Sequence, residues 1–141
     1  MGSSISKSER RAGIILNYVS VLLLVVLFYL GKADNWSIGW IVAEAAALVV
    51  ALITLLRYHF LTGLWRLVHT KVTKLDERQV HITHESLRHS YSIFTVLALL
   101  VLLWKAVFQS PDPNLIIVFA ALLYLAHTLP STVLAWTETE V

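Results

Sequence analysis

Residues 12–30 read AGIILNYVSVLLLVVLFYL and contain no charged side chain. A helix needs about 20 mostly apolar residues to cross the roughly 30 Å of hydrocarbon in a bilayer, so this stretch has the length and composition of a membrane span. Residues 38–56, 91–108 and 114–136 meet the same requirement. Because the backbone must satisfy its own hydrogen bonds in lipid, each stretch is predicted to be a helix.

The composition of the whole chain agrees with this interpretation. Of the 141 residues, 57% are hydrophobic and 14% are charged, whereas a soluble domain is about 45–50% apolar and about 25% charged. The chain has no cysteine, which excludes disulfides, thiolate metal sites and cysteine nucleophiles. We therefore expect an all-α integral membrane protein, a single transmembrane domain over residues 1–141. The first span exceeds the about 7–15 apolar residues of a signal peptide, so we expect it to be retained.

The connections and the basic residues predict the topology. Residues 31–37 and 109–113 are short links, which predict two antiparallel helical hairpins. Only Lys32 and Lys105 lie in or beside these links. The N-terminus and the connector 57–90 hold the other basic residues, which are Lys7, Arg10, Arg11, Arg57, Arg66, Lys71, Lys74, Arg78 and Arg88. The positive-inside rule then predicts a multi-pass inner (plasma) membrane protein with both termini cytoplasmic. This asymmetry explains the net charge of +2 without a nucleic-acid partner.

The connector 57–90 is too long for a simple turn. Its first part has apolar residues at helical spacing between basic ones, which predicts either an amphipathic helix lying on anionic lipid headgroups or an extension of the second span into the cytoplasm. The apolar positions are Leu61, Leu64, Trp65, Val68 and Val72. Thr73 is then the predicted start of a second helix, with Asp76 and Glu77 in its first turn, that continues into the third span.

The stalk that leads into the third span reads DERQVHITHESLRHSY over residues 76–91. It resembles a family of small, largely uncharacterised bacterial and archaeal four-span membrane proteins that carry Asp-Glu-Arg before the third span. Asp76, Glu77 and Arg78 match that motif, and Ile82, Ser90, Tyr91 and Ile93 match the residues that follow it. Glu85 and Ser86 depart from it, because the family tends to have Lys-Ala there. The resemblance implies a four-span layout and no particular activity.

The stalk also carries a ladder of acidic residues and histidines. Glu77, His81, Glu85 and His89 lie four residues apart and share one helical face. The ladder is either a solvated, salt-bridged surface or a site that senses pH or binds a metal. The candidate metal ligands are His81 with His84, or His81 with Glu85. A site needs three or four ligands, so the others would have to come from His59, His69 or a second subunit. His84 and His89 are five apart, so they do not form the zinc-protease motif, which needs a spacing of four.

Further polar residues lie inside the predicted spans. Glu44 is either a proton- or cation-binding carboxylate or the ion-pair partner of Lys105 or Lys32. His127 and Pro130 indicate a kink or a polar seam in the fourth span. A haem could use two histidines at the cytoplasmic half of the bundle. The candidates for that role are His59, His89 and His127. Interhelical hydrogen bonds are predicted for Asn17, Ser20, Thr54, Thr95 and Thr128.

These features favour an accessory or scaffold protein that assembles with itself or with another membrane protein. The stalk and the basic connector would be its contact surface, and we expect a homo-oligomer. The alternative is a small proton-coupled transporter or channel that uses Glu44 with His127. A metal- or haem-binding membrane protein is the third hypothesis. No catalytic motif is present in the sequence, and the leading hypothesis requires no cofactor.

Overall fold

Long helices account for most of the chain. The structure is a computed structural model that describes residues 6–108 and 115–137. Helix α1 covers Lys7–Ala33, α2 covers Ile38–Leu55, α3 covers Leu64–His69, α4 covers Glu77–Phe108 and α5 covers Leu115–Thr137. A π-helical turn, Leu56–Phe60, continues α2, and a 3-10 turn, Val72–Lys74, follows α3. The described residues contain no β-strand, so the predicted all-α class is confirmed for them.

Four of these helices are long and apolar enough to cross a membrane, as predicted. They are α1, α2 with its π-helical turn, α4 and α5. The second one runs to Phe60, four residues beyond the predicted end of the span at Leu56. Asn114, the predicted first residue of the fourth span, lies outside the described residues. Most large apolar side chains on these helices are exposed, the reverse of a soluble domain.

Helices that follow each other in sequence also contact each other in space. Helix α1 packs along α2, α4 packs along α5, and α5 also contacts α1. Between α1 and α2, the chain turns at Asn35 and Trp36, which both have positive φ. The Trp36 ring then packs on Gly31, where an added Cβ would lie 3.0 Å from the ring. Trp40 Nε1 donates a 2.7 Å hydrogen bond to Asp34 Oδ2 and secures the same turn.

The connector differs from its predicted form. Gly63, at φ +80°, reverses the chain so that α3 folds back onto α5. Leu64 is completely buried against Ile14, Leu134 and Ala135. The prediction that this apolar face lies on lipid headgroups is therefore wrong for Leu64, because the bundle itself supplies an apolar surface. Leu61 is 79% exposed and remains available to lipid.

Helix α4 begins later than predicted but runs on as expected. Its first residue is Glu77, and the capping residue is Asp76 rather than Thr73. Gln79 N–H donates to Asp76 Oδ1 at 2.7 Å, and Asp76 N–H donates to Gln79 Oε1 at 3.2 Å. This reciprocal pair is a capping box, and it outcompetes Thr73, which lies in the 3-10 turn. One helix then continues from the stalk to Phe108, as predicted.

The closest approach of α1 to the end of α2 depends on Gly13. A Cβ placed there would lie 2.2 Å from the Tyr58 ring. We expect Gly13→Ala to lower the free energy of unfolding by about 1–3 kcal/mol, because overpacking displaces the ring. Gly39→Ala is the matched control, since its Cβ would meet only Ser37 Oγ at 3.9 Å. Thermal unfolding in detergent measures both, and equal midpoints for the two variants would contradict this packing.

Candidate functional site

Polar side chains form most of the buried interior. Among the described residues, the buried polar positions outnumber the buried apolar ones. The interhelical part of this set lies where α1 begins and where α2 and α5 end. We call it the polar core, and it consists of Asn17, Tyr18, Thr54, His59, Tyr124, Thr128, Ser131 and Thr132.

Asn17 joins three helices. Its Nδ2 donates to Ala51 O and to Thr54 Oγ1 on α2, both at 2.9 Å. Its Oδ1 accepts a 2.6 Å hydrogen bond from Tyr124 OH on α5. The side chain is completely buried, so both ends of the amide have protein partners in place of water. A buried amide is stable only with such partners, and Asn17 therefore specifies how α1, α2 and α5 meet.

The second link between α1 and α5 is a hydroxyl pair beside Pro130. Tyr18 OH lies 2.6 Å from Thr132 Oγ1 and 3.1 Å from Thr128 Oγ1. Pro130 lacks an N–H and so cannot bond the carbonyl four residues earlier. Its own carbonyl accepts a hydrogen bond from Ser86 Oγ of α4. Polar side chains therefore surround Pro130 and link α5 to α4 as well as to α1. His127, the other residue of the predicted kink or polar seam, is exposed and lies outside this set.

His59 lies in the π-helical turn at the end of α2. The residue is completely buried, and its Nδ1 lies 2.7 Å from Ser131 Oγ. Ser131 Oγ donates its proton to Thr128 O at 2.8 Å, so it accepts from a protonated Nδ1. The other nitrogen, Nε2, has no hydrogen-bond partner in the described structure. Isolated π-turns often mark functional positions, and this one turns His59 into the bundle.

The predicted intramembrane pair is not brought together. Glu44 is half-buried in an apolar groove with Leu24 and Ile117. His127 is exposed and packs beside Trp65 and His69. It lies ten residues beyond Ile117 on α5, which is about 15 Å along a helix. The transporter hypothesis needs a path between them that this arrangement does not supply. The Lys105 side chain, a predicted ion-pair partner of Glu44, lies outside the described part.

The stalk residues mostly face away from the bundle. The exposed ones are Asp76, Glu77, Arg78, His81, His84, Glu85, Leu87, Arg88, His89 and Tyr91. His81 Nε2 and Glu85 Oε1 lie 3.8 Å apart, the one contact of the ladder that the structure shows. Within residues 6–108 and 115–137, no three His, Asp or Glu side chains are grouped, so no site with three protein ligands is present there. The three haem candidates also differ in setting, because His59 is buried and His89 and His127 are exposed.

Sequence patterns identified part of the polar core. Interhelical bonds are confirmed for Asn17, Thr54 and Thr128. The same prediction is wrong for Ser20 and Thr95, whose hydroxyls bond carbonyls four residues earlier in their own helices. The residues that were missed are Tyr18, Tyr124, Ser86, Ser131 and Thr132. The one available signal was the cluster of hydroxyl residues around Pro130.

A second candidate surface runs along α4. Exposed positions repeat at alternating spacings of four and three residues, the pattern of a coiled-coil seam. We call this stripe the α4 seam. Its members are His81, Glu85, Arg88, Ser92, Thr95, Leu99 and Leu102, all exposed except the half-buried Thr95. The seam is polar in the stalk and apolar further along, with two small hydroxyl residues between.

The hydrogen bonds of Asn17 give a direct test of the polar core. We expect Asn17→Leu to lower the free energy of unfolding by about 1–3 kcal/mol, because it removes the acceptor of Tyr124 OH and both hydrogen bonds from α1 to α2. Ser20→Ala is the control, since Ser20 is equally buried but bonds only Leu16 O of its own helix. Chemical denaturation of the two variants, each folded in detergent, measures both changes in the free energy of unfolding. An Asn17→Leu effect no larger than that of Ser20→Ala would show that the network is not stabilising.

The chain was also compared with known proteins. No protein-family model, no curated protein and no solved structure matched it. The Asp-Glu-Arg resemblance therefore stays a prediction, and any function must be argued from the residues themselves.

Proposed function

We propose that the chain is a four-span inner-membrane protein that acts by assembling with a second copy of itself through the α4 seam. The observation that carries the proposal is the exposed four-three repeat on a helix of 32 residues. Helix α4 packs on α5 and, more lightly, on α3, which leaves the opposite face open. In this scheme the protein is an accessory or scaffold component rather than an enzyme.

The bilayer part of the proposal rests on surface composition. Four helices are long and apolar enough to span, and their exposed side chains are mainly aliphatic. An apolar surface of this extent is unfavourable in water and favourable in lipid. The exposed basic residues of the stalk and connector support a cytoplasmic position for that side, with anionic headgroups as neighbours. Each helix pair, α1 with α2 and α4 with α5, forms a hairpin in this arrangement.

The composition of the seam suits contact between two copies of α4. Copies in one membrane share an orientation, so two α4 helices meet in parallel about a two-fold axis. Ser92 and Thr95 use their hydroxyls on carbonyls of their own helix, and small residues of this kind let helices approach closely in lipid. Leu99 and Leu102 continue the contact as apolar seam positions.

Charge complementarity selects the pairing at the stalk. Glu85 and Arg88 are neighbours on the seam, three residues apart. In a parallel two-fold pair, Glu85 lies level with its own counterpart, and Arg88 of the other copy lies within one helical turn of it. The axis generates the Glu85–Arg88 contact twice, and these two attractions offset the repulsion between like residues across the axis. Paired charges of this kind contribute more to the choice of partner than to affinity.

Charge reversal tests the seam. We expect Glu85→Arg alone and Arg88→Glu alone to raise the dimer dissociation constant at least about tenfold, or about 1.4 kcal/mol. The double variant exchanges both charges and should restore association. Sedimentation equilibrium of the purified chain in density-matched detergent measures the constant. Arg66→Glu on α3, which is exposed and off the seam, is the control.

Two results would overturn the proposal. One is a native chain that stays monomeric across the concentration range. The other is a double variant that is no closer to the native constant than the single variants, which would mean that the two charges do not face each other. Variants at Asp76 are unsuitable here, because its carboxylate caps α4.

Cysteine labelling tests the topology. The chain has no native cysteine, so single cysteines can replace Asn35 and Lys74, which are both exposed. A membrane-impermeant maleimide added to intact cells should label Asn35→Cys alone, and both variants after permeabilisation. Labelling of Lys74→Cys in intact cells would reverse the proposed orientation.

A further inference from the structure

Two histidines from different elements meet beside a tryptophan, outside the polar core and outside the α4 seam. The ring centroids of His69 on α3 and His127 on α5 lie 5.9 Å apart. Trp65 stacks on His69 at 4.1 Å with an interplanar angle of 18°, and it lies 5.6 Å from His127. This grouping exists because Gly63 reverses the chain and lays α3 on α5.

The hydrogen bond that His69 makes through Nδ1 leaves its other ring nitrogen, Nε2, able to bind a metal ion. Its Nδ1 lies 2.8 Å from Trp65 O, and a carbonyl only accepts, so Nδ1 carries a proton. In the neutral ring, Nε2 then has a free lone pair. A metal-binding histidine usually donates the N–H of its second ring nitrogen to a backbone carbonyl or a similar acceptor. This hydrogen bond fixes the tautomer and the ring orientation.

The separation of the rings suits one shared ion. Imidazole nitrogens bind transition metals at about 2.0–2.1 Å, and a tetrahedral ion then holds two ring centroids about 5–6 Å apart. The observed 5.9 Å lies at the upper end of that interval, and a small rotation of either surface side chain brings the rings to the tetrahedral separation of about 5.2 Å. Both histidines lie at the surface of the bundle, and His69 belongs to the connector helix α3, so an ion on the connector side can reach the pair without unfolding of the helices.

We propose that His69 and His127 together bind one divalent transition-metal ion, with Trp65 forming one wall of the site. Imidazole is a borderline ligand that suits Cu²⁺, Ni²⁺ and Zn²⁺, and Cu²⁺ binds most tightly of the three. Two protein ligands leave the other coordination positions of the ion to water. The bound ion can therefore exchange, unlike the ion of a structural site. A bound ion bridges α3 to α5 and so holds the connector against the bundle.

Titration with Cu²⁺ and Zn²⁺ tests the site in the full-length chain, purified in detergent without a histidine tag. Calorimetry should give one ion per chain. His69→Ala and His127→Ala should each weaken binding at least about tenfold, and the double variant should weaken it little further, because either loss destroys the chelate. His84→Ala and His89→Ala are matched controls, since both are exposed histidines on α4 and should leave the constant unchanged.

Fluorescence supplies a second readout that does not depend on the loss of a ligand. Bound Cu²⁺ should quench Trp65, so Trp65→Phe should reduce the quenching while the calorimetric constant stays within about twofold of native. Equal weakening by His84→Ala and His127→Ala would overturn the proposal in favour of adventitious binding to surface imidazoles. Native-like binding by His127→Ala, or no binding by the native chain, would also overturn it.

Discussion

The buried amide of Asn17 imposes the constraint on which the arrangement of helices depends. An amide in an apolar interior must find partners for its N–H groups and its carbonyl oxygen, or folding pays the cost of desolvating them. Here the partners are Ala51 O, Thr54 Oγ1 and Tyr124 OH, and they come from two other helices. Aliphatic side chains pack in many registers, whereas this amide is satisfied in one.

The same requirement explains the rest of the polar core. Tyr18 bonds the hydroxyls that flank Pro130, and Ser86 uses the Pro130 carbonyl, so a helix-breaking residue becomes a point of attachment. His59 enters the core because the π-helical turn adds a residue to the end of α2. The apolar cluster of Ile14, Leu64, Leu134 and Ala135 lies at the same end of the bundle. These contacts therefore hold α1, α2 and α5 together at one end of the bundle. Among the described residues, much of the outer face of α4 makes no contact with the other helices.

This division of the molecule organises both proposals. Helices α1, α2 and α5 form one side of the bundle, and their mutual hydrogen bonds need no further partner for stability. The open side includes the α4 seam, which the proposed assembly uses for contact with a second copy. The His69–His127 pair arises where α3 folds onto α5 and does not involve the seam. Assembly and metal binding are therefore separable, and failure of one leaves the other standing.

The sequence by itself determined the helix class, the number of long apolar helices and most of their bounds. Those properties follow from the composition and length of contiguous stretches such as residues 12–30. It also identified Asn17, Thr54 and Thr128 as hydrogen-bonding residues, because polar groups in an apolar stretch need partners. Contacts between distant residues were decided only by the tertiary structure. The burial of Leu64 and the pairing of His59 with Ser131 depend on how far α3 folds back and where α2 ends. The Asp76 cap is instead a local contact that the Asp76–Gln79 spacing encodes. The pattern of apolar and polar residues along the chain carries no information on the distances between helices. The sequence analysis therefore paired Glu44 with His127, whereas in the structure His127 lies beside His69.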